Sequence, residues 1–296
     1  MDSGWDGASR DAGASDGPYP REGHHGSPMP RRVVLAALGG VLIAGTGVAT
    51  AGCTSDGNPG ASGLSPEPQA SQASLPAPRH TTAAIQHDRA KPAAAKPDSV
   101  APAKPVYYID DGPMTVALTI DDGPSPVYTP QVLQVLEEHG VHATFSMVGQ
   151  NVAYYPQVAR EVASAGHLIA NHTWNHQDLT SLPAAAMRDE VTRAGDQIHT
   201  ATGQWPTLFR APYGAWSPAL LKYCAEQGLT ALDWSVDPQD WARPGVTAIV
   251  RNILRTTRSG SIILEHDGGG DRSETVAALK VVLPSLLEKG YRFRLA

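Results

Sequence analysis

The stretch TVALTIDDGP, residues 115–124, joins an apolar run directly to two aspartates, a glycine and a proline. A run of branched apolar residues followed by turn residues is typical of a buried strand. Downstream, short apolar runs alternate with amphipathic segments about seven times, which is the pattern of repeated β/α units. Strict alternation predicts parallel strands with helices packed outside them, and a barrel and an open doubly wound sheet both fit this α/β pattern.

The pentapeptide IDDGP occurs twice, at 109–113 and at 120–124. In parallel α/β folds the functional groups lie at the carboxyl ends of the strands. Asp110 and Asp111 precede the predicted strand, so we expect them to form only a turn that leads into it. Asp121 and Asp122 follow the strand, so the second copy is the one expected to carry chemistry.

Polar segments follow the other predicted strands at the same relative position, and a whole rim of them is hard to explain by chance. NHTWNH and RAPY each come after an apolar run, as do DWSVDPQDW and LEHD. The candidate residues in these segments are His172 and His176, Arg210 to Tyr213, Asp233, Asp237 and Asp240, and Glu265, His266 and Asp267.

Asp122, His172 and His176 are predicted to bind a divalent metal ion. Two histidines four residues apart can present their rings on one side of a helical turn. With one carboxylate they supply three ligands and leave an open position, as in catalytic zinc sites. Zinc is the first choice, although Co²⁺ or another divalent ion also suits these ligands. The alternative is a polar loop whose histidines form only local hydrogen bonds.

Five segments, taken together, resemble the motifs of the NodB-homology polysaccharide deacetylases, a family of metal-dependent carbohydrate esterases. TIDDGP is similar to their first motif, T-F-D-D-G, and HTWNH to their second, H-[ST]-x-x-H. RAPYG resembles the third, R-P-P-Y, with Ala211 in place of a proline. DPQDW at 237–241 and LEH at 264–266 resemble the fourth and the fifth. The resemblance covers 106–296 and implies a distorted, incomplete (β/α) barrel with about seven parallel strands.

The resemblance also implies catalytic roles. Asp122, His172 and His176 would hold the metal ion, which would polarise the acetyl carbonyl and lower the pKa of a bound water. Asp121 would be the general base, kept ionised by the metal ion and by Arg210.

The remaining implied roles concern the leaving group and the sugar. His266 would protonate the leaving amine or alcohol, with Asp237 as the carboxylate that raises its pKa. The backbone N–H of Tyr213 would stabilise the oxyanion. Leu264 would form a pocket for the acetyl methyl and Trp241 would line the sugar groove. Core packing is the alternative for these last two side chains.

Residues 1–53 are predicted to be a polar leader followed by an export signal. Arg31 and Arg32 precede an uncharged run at 33–52. TAGC at 50–53 resembles a lipoprotein cleavage site, with Cys53 as the lipidated residue. An uncleaved membrane helix is the alternative. Both interpretations place the rest of the chain outside the cytoplasm.

Composition separates a linker from the catalytic domain. Pro, Ala, Ser and Lys dominate 54–105, which predicts a disordered linker and leaves 106–296 as the folded domain. The net charge of −6 argues against a nucleic-acid partner. The only cysteines, Cys53 and Cys224, provide no disulfide framework. Cys224 lies on a predicted helix beside leucines and is expected to be buried rather than nucleophilic.

These features predict an extracytoplasmic deacetylase of an acetylated polysaccharide, held at the membrane by a lipid or an N-terminal anchor. N-acetylglucosamine of peptidoglycan is the first choice of substrate, and chitin oligomers or acetylated xylan are alternatives. The competing class is a non-catalytic wall-binding domain. A complete set of base, acid and metal ligands argues against that class, since binding alone requires none of them.

Overall fold

The computed structural model describes Lys91 and residues 101–296. The predictions of a polar leader, an export signal and a lipidated Cys53 therefore lie outside the described residues. The same is true of most of the predicted linker. Contacts with the folded domain begin inside that linker, because the backbone N–H of Ala103 donates to the carbonyl of Leu221 at 3.0 Å.

The described chain forms one curled sheet in which every paired strand is parallel, with helices packed outside it. The order is β5-β4-β3-β2-β1-β6, and β7 pairs with the first residues of β1. The predicted α/β fold, an incomplete barrel of about seven parallel strands, is confirmed. The strands are β1 (Thr115–Asp121), β2 (Thr144–Met147), β3 (Leu168–Asn171), β4 (Leu208–Phe209), β5 (Thr230–Ala231), β6 (Ile262–His266) and β7 (Arg292–Arg294).

The helices follow the strands as parallel β/α connections require. Pro130 at the start of α1 has no N–H to lose and a backbone angle that suits a first turn. The six-residue α2 has no apolar periodicity, and the sequence does not predict it. The helices are α1 (Thr129–Glu138), α2 (Gly149–Tyr154), α3 (Pro156–Ser164), α4 (Ala184–Thr202), α5 (Pro218–Glu226), α6 (Val246–Thr256) and α7 (Ser273–Glu288). In the part of the chain that the structure describes, no helix combines the length and hydropathy needed to cross a membrane.

Strand β1 is the centre of the core, and all its residues are buried. Leu118 and Ile120 pack with apolar side chains of α1, α3, α6 and α7. Ala117 belongs to a separate cluster on the opposite face. Since side chains alternate along a strand, Asp121 lies on the same face as Ala117, away from the helices. The carboxylate of Asp121, at the end of β1, therefore lies on the inner face of the curled sheet.

The last strand before α6 is shorter than the sequence suggests. Only Thr230 and Ala231 pair with β4, whereas the apolar run continues further. Beyond β5 the chain crosses towards β6, where Val236 bridges Ile263. This crossing closes part of the gap between the sheet edges and places the 237–241 segment beside the end of β6.

The first IDDGP copy forms the predicted turn. Asp110 and Asp111 are exposed, and the chain bends and turns immediately before β1. Asp111 Oδ2 forms an exposed ion pair with Arg294 Nε at 2.6 Å. The first copy thus lies at the amino end of β1, far along the strand from the second copy.

Candidate active site

The carboxyl ends of β1, β3, β4 and β6 bring the predicted functional segments together. Asp121 is paired in register with His266 on one side and with Ser146 on the other. Further along the sheet, Asn171 pairs with Phe209, so His172 and Arg210 follow neighbouring strand ends. Sheet registry therefore places Asp121, His172, Arg210 and His266 on one rim.

Asp122, His172 and His176 converge as the sequence predicts. Asp122 Oδ1 lies 3.5 Å from His172 Nε2 and 3.2 Å from His176 Nε2. One potential ligand atom from each residue lies within 4.8 Å of the others. His172 Nδ1 is 2.8 Å from the carbonyl of Arg210. A carbonyl can only accept, so Nδ1 carries a proton and the Nε2 lone pair is free to bind a metal ion.

The histidine segment is an irregular loop, not the helical turn assumed from the spacing. Thr173 and His176 both have left-handed backbone angles, with φ of 66° and 62°. Buried Glu190 of α4 accepts hydrogen bonds from the backbone N–H groups of Trp174 and Asn175, both at 3.0 Å. The loop is held by these contacts, and they rather than helical periodicity bring His176 to Asp122.

Asp122 itself has a left-handed backbone, with φ of 73°. Such conformations are unfavourable for a non-glycine residue and concentrate at functional sites. Burial alone would raise the pKa of Asp122, but the close approach of His172 and the charges of nearby histidines lower it below its usual range. The carboxylate is therefore ionised, as a metal ligand must be.

Arg210 fixes the neighbouring Asp121. Its guanidinium is fully buried and donates from Nη1 to Asp121 Oδ1 at 2.7 Å and to Thr119 Oγ1 at 2.8 Å. Its Nη2 donates to the carbonyl of Asp233 at 2.9 Å. Asp121 Oδ2 faces the ligand cluster, 3.8 Å from His172 Nε2. One carboxylate oxygen is held, and the other is left for chemistry.

The structure corrects the predicted partner of His266, which is Asp240 and not Asp237. His266 Nδ1 is 2.7 Å from Asp240 Oδ1, and the His266 backbone N–H donates to Asp240 Oδ2 at 2.9 Å. Asp237 Oδ1 instead accepts from the backbone N–H of Gln239 at 2.7 Å. Gln239 is left-handed, with φ of 58°, and this turn carries Asp240 to Nδ1 of the His266 ring.

The Asp240 contact determines the charge of His266. Burial would lower the pKa of His266, but the hydrogen bond with Asp240 and its negative charge raise it to about 9. His266 consequently holds a proton at neutral pH. With Nδ1 bonded to Asp240, the Nε2 side is the one that can donate to a substrate.

The predicted substrate contacts occupy two different environments. Tyr213 is 70% exposed and its ring meets His176 edge-on, with centroids 4.8 Å apart. Trp241 is 51% exposed and directly follows Asp240. Leu264 is buried in β6, which fits core packing as well as an acetyl pocket. Cys224 is buried too, and burial raises the pKa of its thiol to about 12, so it is no nucleophile.

Three relatives and neighbours show what the chain is similar to. The chitooligosaccharide deacetylase of Bradyrhizobium sp. (strain ANU 289) is 45% identical over 192 residues, covering 61% of this chain and 88% of that protein. A peptidoglycan-N-acetylglucosamine deacetylase of Bacillus cereus is 42% identical over 189 residues, covering 63% and 88%. A crystal structure of a peptidoglycan N-acetylglucosamine deacetylase superposes with a TM-score of 0.62 at 34% identity, covering 64% of this chain and 89% of that one.

The polysaccharide deacetylase family model matches residues 109–232. The chain belongs to this family of hydrolases, which act on carbon–nitrogen bonds other than peptide bonds. The matched region contains Asp121, Asp122, His172, His176 and Arg210, whereas Asp240 and His266 lie beyond it.

Sequence reasoning missed several residues that support the site. Asn151 Nδ2 donates to the carbonyl of Asp122 at 2.8 Å, from the helix that was not predicted. Thr275 Oγ1 donates to Asp240 Oδ2 at 2.7 Å. Neither has a motif of its own. Glu190 was a usable signal for such a contact. It lies on the buried face of an amphipathic helix, and a buried carboxylate needs hydrogen-bond donors.

Proposed function

We propose that this protein is an extracytoplasmic, metal-dependent deacetylase that removes acetyl groups from N-acetylglucosamine of peptidoglycan. The observation that carries the proposal is the single rim on which a three-ligand cluster is flanked by a held carboxylate and a protonated histidine. These are Asp122, His172 and His176, with Asp121 and His266 beside them.

The donor set suits a divalent cation. Two imidazole nitrogens and one carboxylate oxygen are the ligand types of catalytic zinc. Asp122 Oδ1 is buried and has no hydrogen-bond donor among the described residues, apart from its approach to the two histidine rings. Zn²⁺ is our first choice, and bound there it would supply Lewis acidity towards the acetyl carbonyl and water.

Asp121 is placed to act as the general base. Its Oδ2 faces the ligand cluster and can accept a proton from the attacking water, while Arg210 holds Oδ1. The water oxygen then bonds to the acetyl carbon. Since Asp121 and Asp122 are neighbours whose side chains diverge at the end of β1, one can move a proton while the other binds the cation.

His266 is placed to act as the general acid. As the carbon–nitrogen bond breaks, the Nε2–H can pass its proton to the departing amine nitrogen. Asp240 stabilises the charged ring before this transfer, and its contact with Nδ1 sets the orientation of the ring. Acetate and the free amine are the products.

Several features favour a cell-wall glycan as substrate. The relatives named above are peptidoglycan-N-acetylglucosamine and chitooligosaccharide deacetylases. Tyr213 and Trp241 are large, exposed side chains at the rim, and aromatic faces suit contact with sugar rings. An N-terminal export signal and a long linker would present the domain to the wall. Chitin oligomers remain the second candidate and acetylated xylan the third.

Acetate release tests the enzyme and its substrate together. We expect release from peptidoglycan, less from chitooligosaccharides and least from acetylated xylan, measured with equal numbers of acetyl groups. Chelation should abolish it and Zn²⁺ should restore it, since the ligands alone do not activate water. Release that persists after complete removal of metal would refute metal dependence. No release from any of these glycans would favour a binding domain.

Location is tested separately on the full-length chain. We expect Cys53→Ser to release the protein from the membrane fraction and to abolish labelling by a tagged fatty acid, with Ser55→Ala as the control. If Cys53→Ser stays in the membrane fraction, and neither it nor the Ser55→Ala control is labelled by the fatty acid, lipidation is contradicted and an uncleaved helix is favoured.

A further inference from the structure

Glu265 is a buried acid that the mechanism above does not use. It lies in β6 between Leu264 and His266 and is 0% exposed. Neither of its carboxyl oxygens has a hydrogen-bond donor among the described residues, if the group is treated as an ionised acceptor. An ionised carboxylate is rarely left without donors in a protein interior. The environment therefore suits a neutral acid.

Asp240 is the group that Glu265 meets. Asp240 lies beside this part of β6, since its Oδ2 accepts from the backbone N–H of His266, the residue after Glu265. A hydrogen bond between the two carboxyl groups is among the causes that shift the pKa of each. Two carboxylates only accept, so such a bond requires a proton on one of them. Asp240 already accepts from Thr275 and from both the backbone N–H and the ring of His266. With these donors around it, Asp240 is the ionised partner and Glu265 is the protonated one.

The other charged groups acting on Glu265 agree with this assignment. Asp237, from the loop after β5, adds a second negative charge. Arg272, before α7, is the positive group that acts on it, but its Nε and Nη1 donate to the carbonyls of Gly268 and Trp241. Burial, followed by the charge of Asp240, raises the pKa of Glu265 well above its usual range.

We propose that Glu265 is a positioning residue, a neutral acid that donates its O–H to Asp240 and completes a Glu265–Asp240–His266 chain of hydrogen bonds. The inference rests on the proposed acid role of His266. Its consequence is electrostatic. A neutral Glu265 adds no negative charge to that of Asp240 beside the imidazolium, whereas an ionised Glu265 would add one and make the proton harder to release.

Titration of His266 by NMR tests the proposal without any substrate. Glu265→Gln keeps the shape, the neutrality and a donor, so the midpoint should stay within about 0.3 pH units of the wild type. Glu265→Leu removes the donor, leaving the Asp240 charge less offset, so the midpoint should rise by about half a unit or more. A fall of about one unit or more in Glu265→Gln would mean that Glu265 is ionised, and would overturn the proposal. Unchanged midpoints in both variants would overturn it too.

Infrared difference spectroscopy provides a direct second measurement. The wild type minus Glu265→Gln should contain the carbonyl-stretch band of a protonated carboxylic acid. Glu190→Gln is the matched control, because buried Glu190 already accepts hydrogen bonds from two backbone N–H groups. Absence of the band from the Glu265 difference would overturn the proposal. Full acetate release by His266→Ala would refute the acid role alone, and would leave the hydrogen-bond chain to be judged by these spectra.

Discussion

The two IDDGP copies have the same letters and opposite environments. In the first, Asp110 and Asp111 are exposed in the turn before β1, and the Asp111 contact is a surface pair with Arg294. In the second, Asp121 is buried against Arg210, and Asp122 faces two histidines. Position relative to β1, not local sequence, therefore decides which aspartates reach the candidate site.

The largest effect on activity should come from replacing Asp121, the first aspartate of the second IDDGP copy. Asp121→Asn should reduce acetate release by about 10²–10⁴-fold, the usual contribution of a general base. Metal content should remain unchanged. Asp110→Asn, the matched substitution in the first copy, should retain full activity. Comparable losses of acetate release in Asp121→Asn and Asp110→Asn would show that the two copies do not differ in function.

A second pair of aspartates, Asp237 and Asp240, extends the comparison. In the proposed mechanism the active form of His266 is protonated, so activity should fall as pH rises through its pKa. Asp240 raises that pKa to about 9, so Asp240→Asn should lower it and move the alkaline limb to lower pH. A bound cation would lower the value in both proteins but would not change the direction of this shift.

The matched control for this shift is Asp237→Asn. Asp237 does not hydrogen-bond to His266, so its removal should move the limb much less. The pH profiles of kcat/KM for the two variants and the wild type provide the measurement. A larger shift in Asp237→Asn would show that the observed contact is not the one that controls the acid.

A smaller effect should distinguish the two glycines of the copies. A Cβ on Gly123 would lie 2.3 Å from Asp267 Oδ1, and Asp267 is held by Thr129. Gly123→Ala should therefore cost on the order of 1–3 kcal/mol and displace the adjacent Asp122. Gly112 has φ of +86° and open space around it, so Gly112→Ala should cost about 1 kcal/mol from backbone strain alone.

Urea unfolding and acetate release measure these two glycine effects. Gly112→Ala should be slightly less stable and fully active, whereas Gly123→Ala should lose both stability and activity. Full activity in Gly123→Ala would indicate that the 120–124 loop tolerates movement, and would weaken the link between its geometry and the site.

Much of the fold and the site could be predicted because both depend on patterns that survive in sequence. The buried run of β1 and the strict alternation after it predicted parallel strands. Registry at the strand ends then brought Asp122 near His172, as expected from their places in the chain. The predicted turn at Asp110 and Asp111 was confirmed because these residues precede β1 instead of following it.

What could not be predicted depends on backbone conformations that have no periodicity. The left-handed Gln239 decides whether Asp237 or Asp240 reaches His266. The histidine loop depends on hydrogen bonds to Glu190, an element away along the chain. The short helix α2 carries Asn151, which donates a hydrogen bond to the carbonyl of Asp122, and no amphipathic pattern predicts this helix.

Metal titration of two alanine variants measures whether the second IDDGP copy, and not the first, binds the cation. Apoprotein of the wild type, Asp122→Ala and Asp111→Ala would be titrated with Zn²⁺ by calorimetry. We expect Asp122→Ala to bind at least about 100-fold more weakly, since it lacks a direct ligand. Asp111→Ala should bind like the wild type, because it loses only an exposed ion pair. Equal weakening in both variants, or wild-type affinity in Asp122→Ala, would contradict the assignment of the metal site to the second copy.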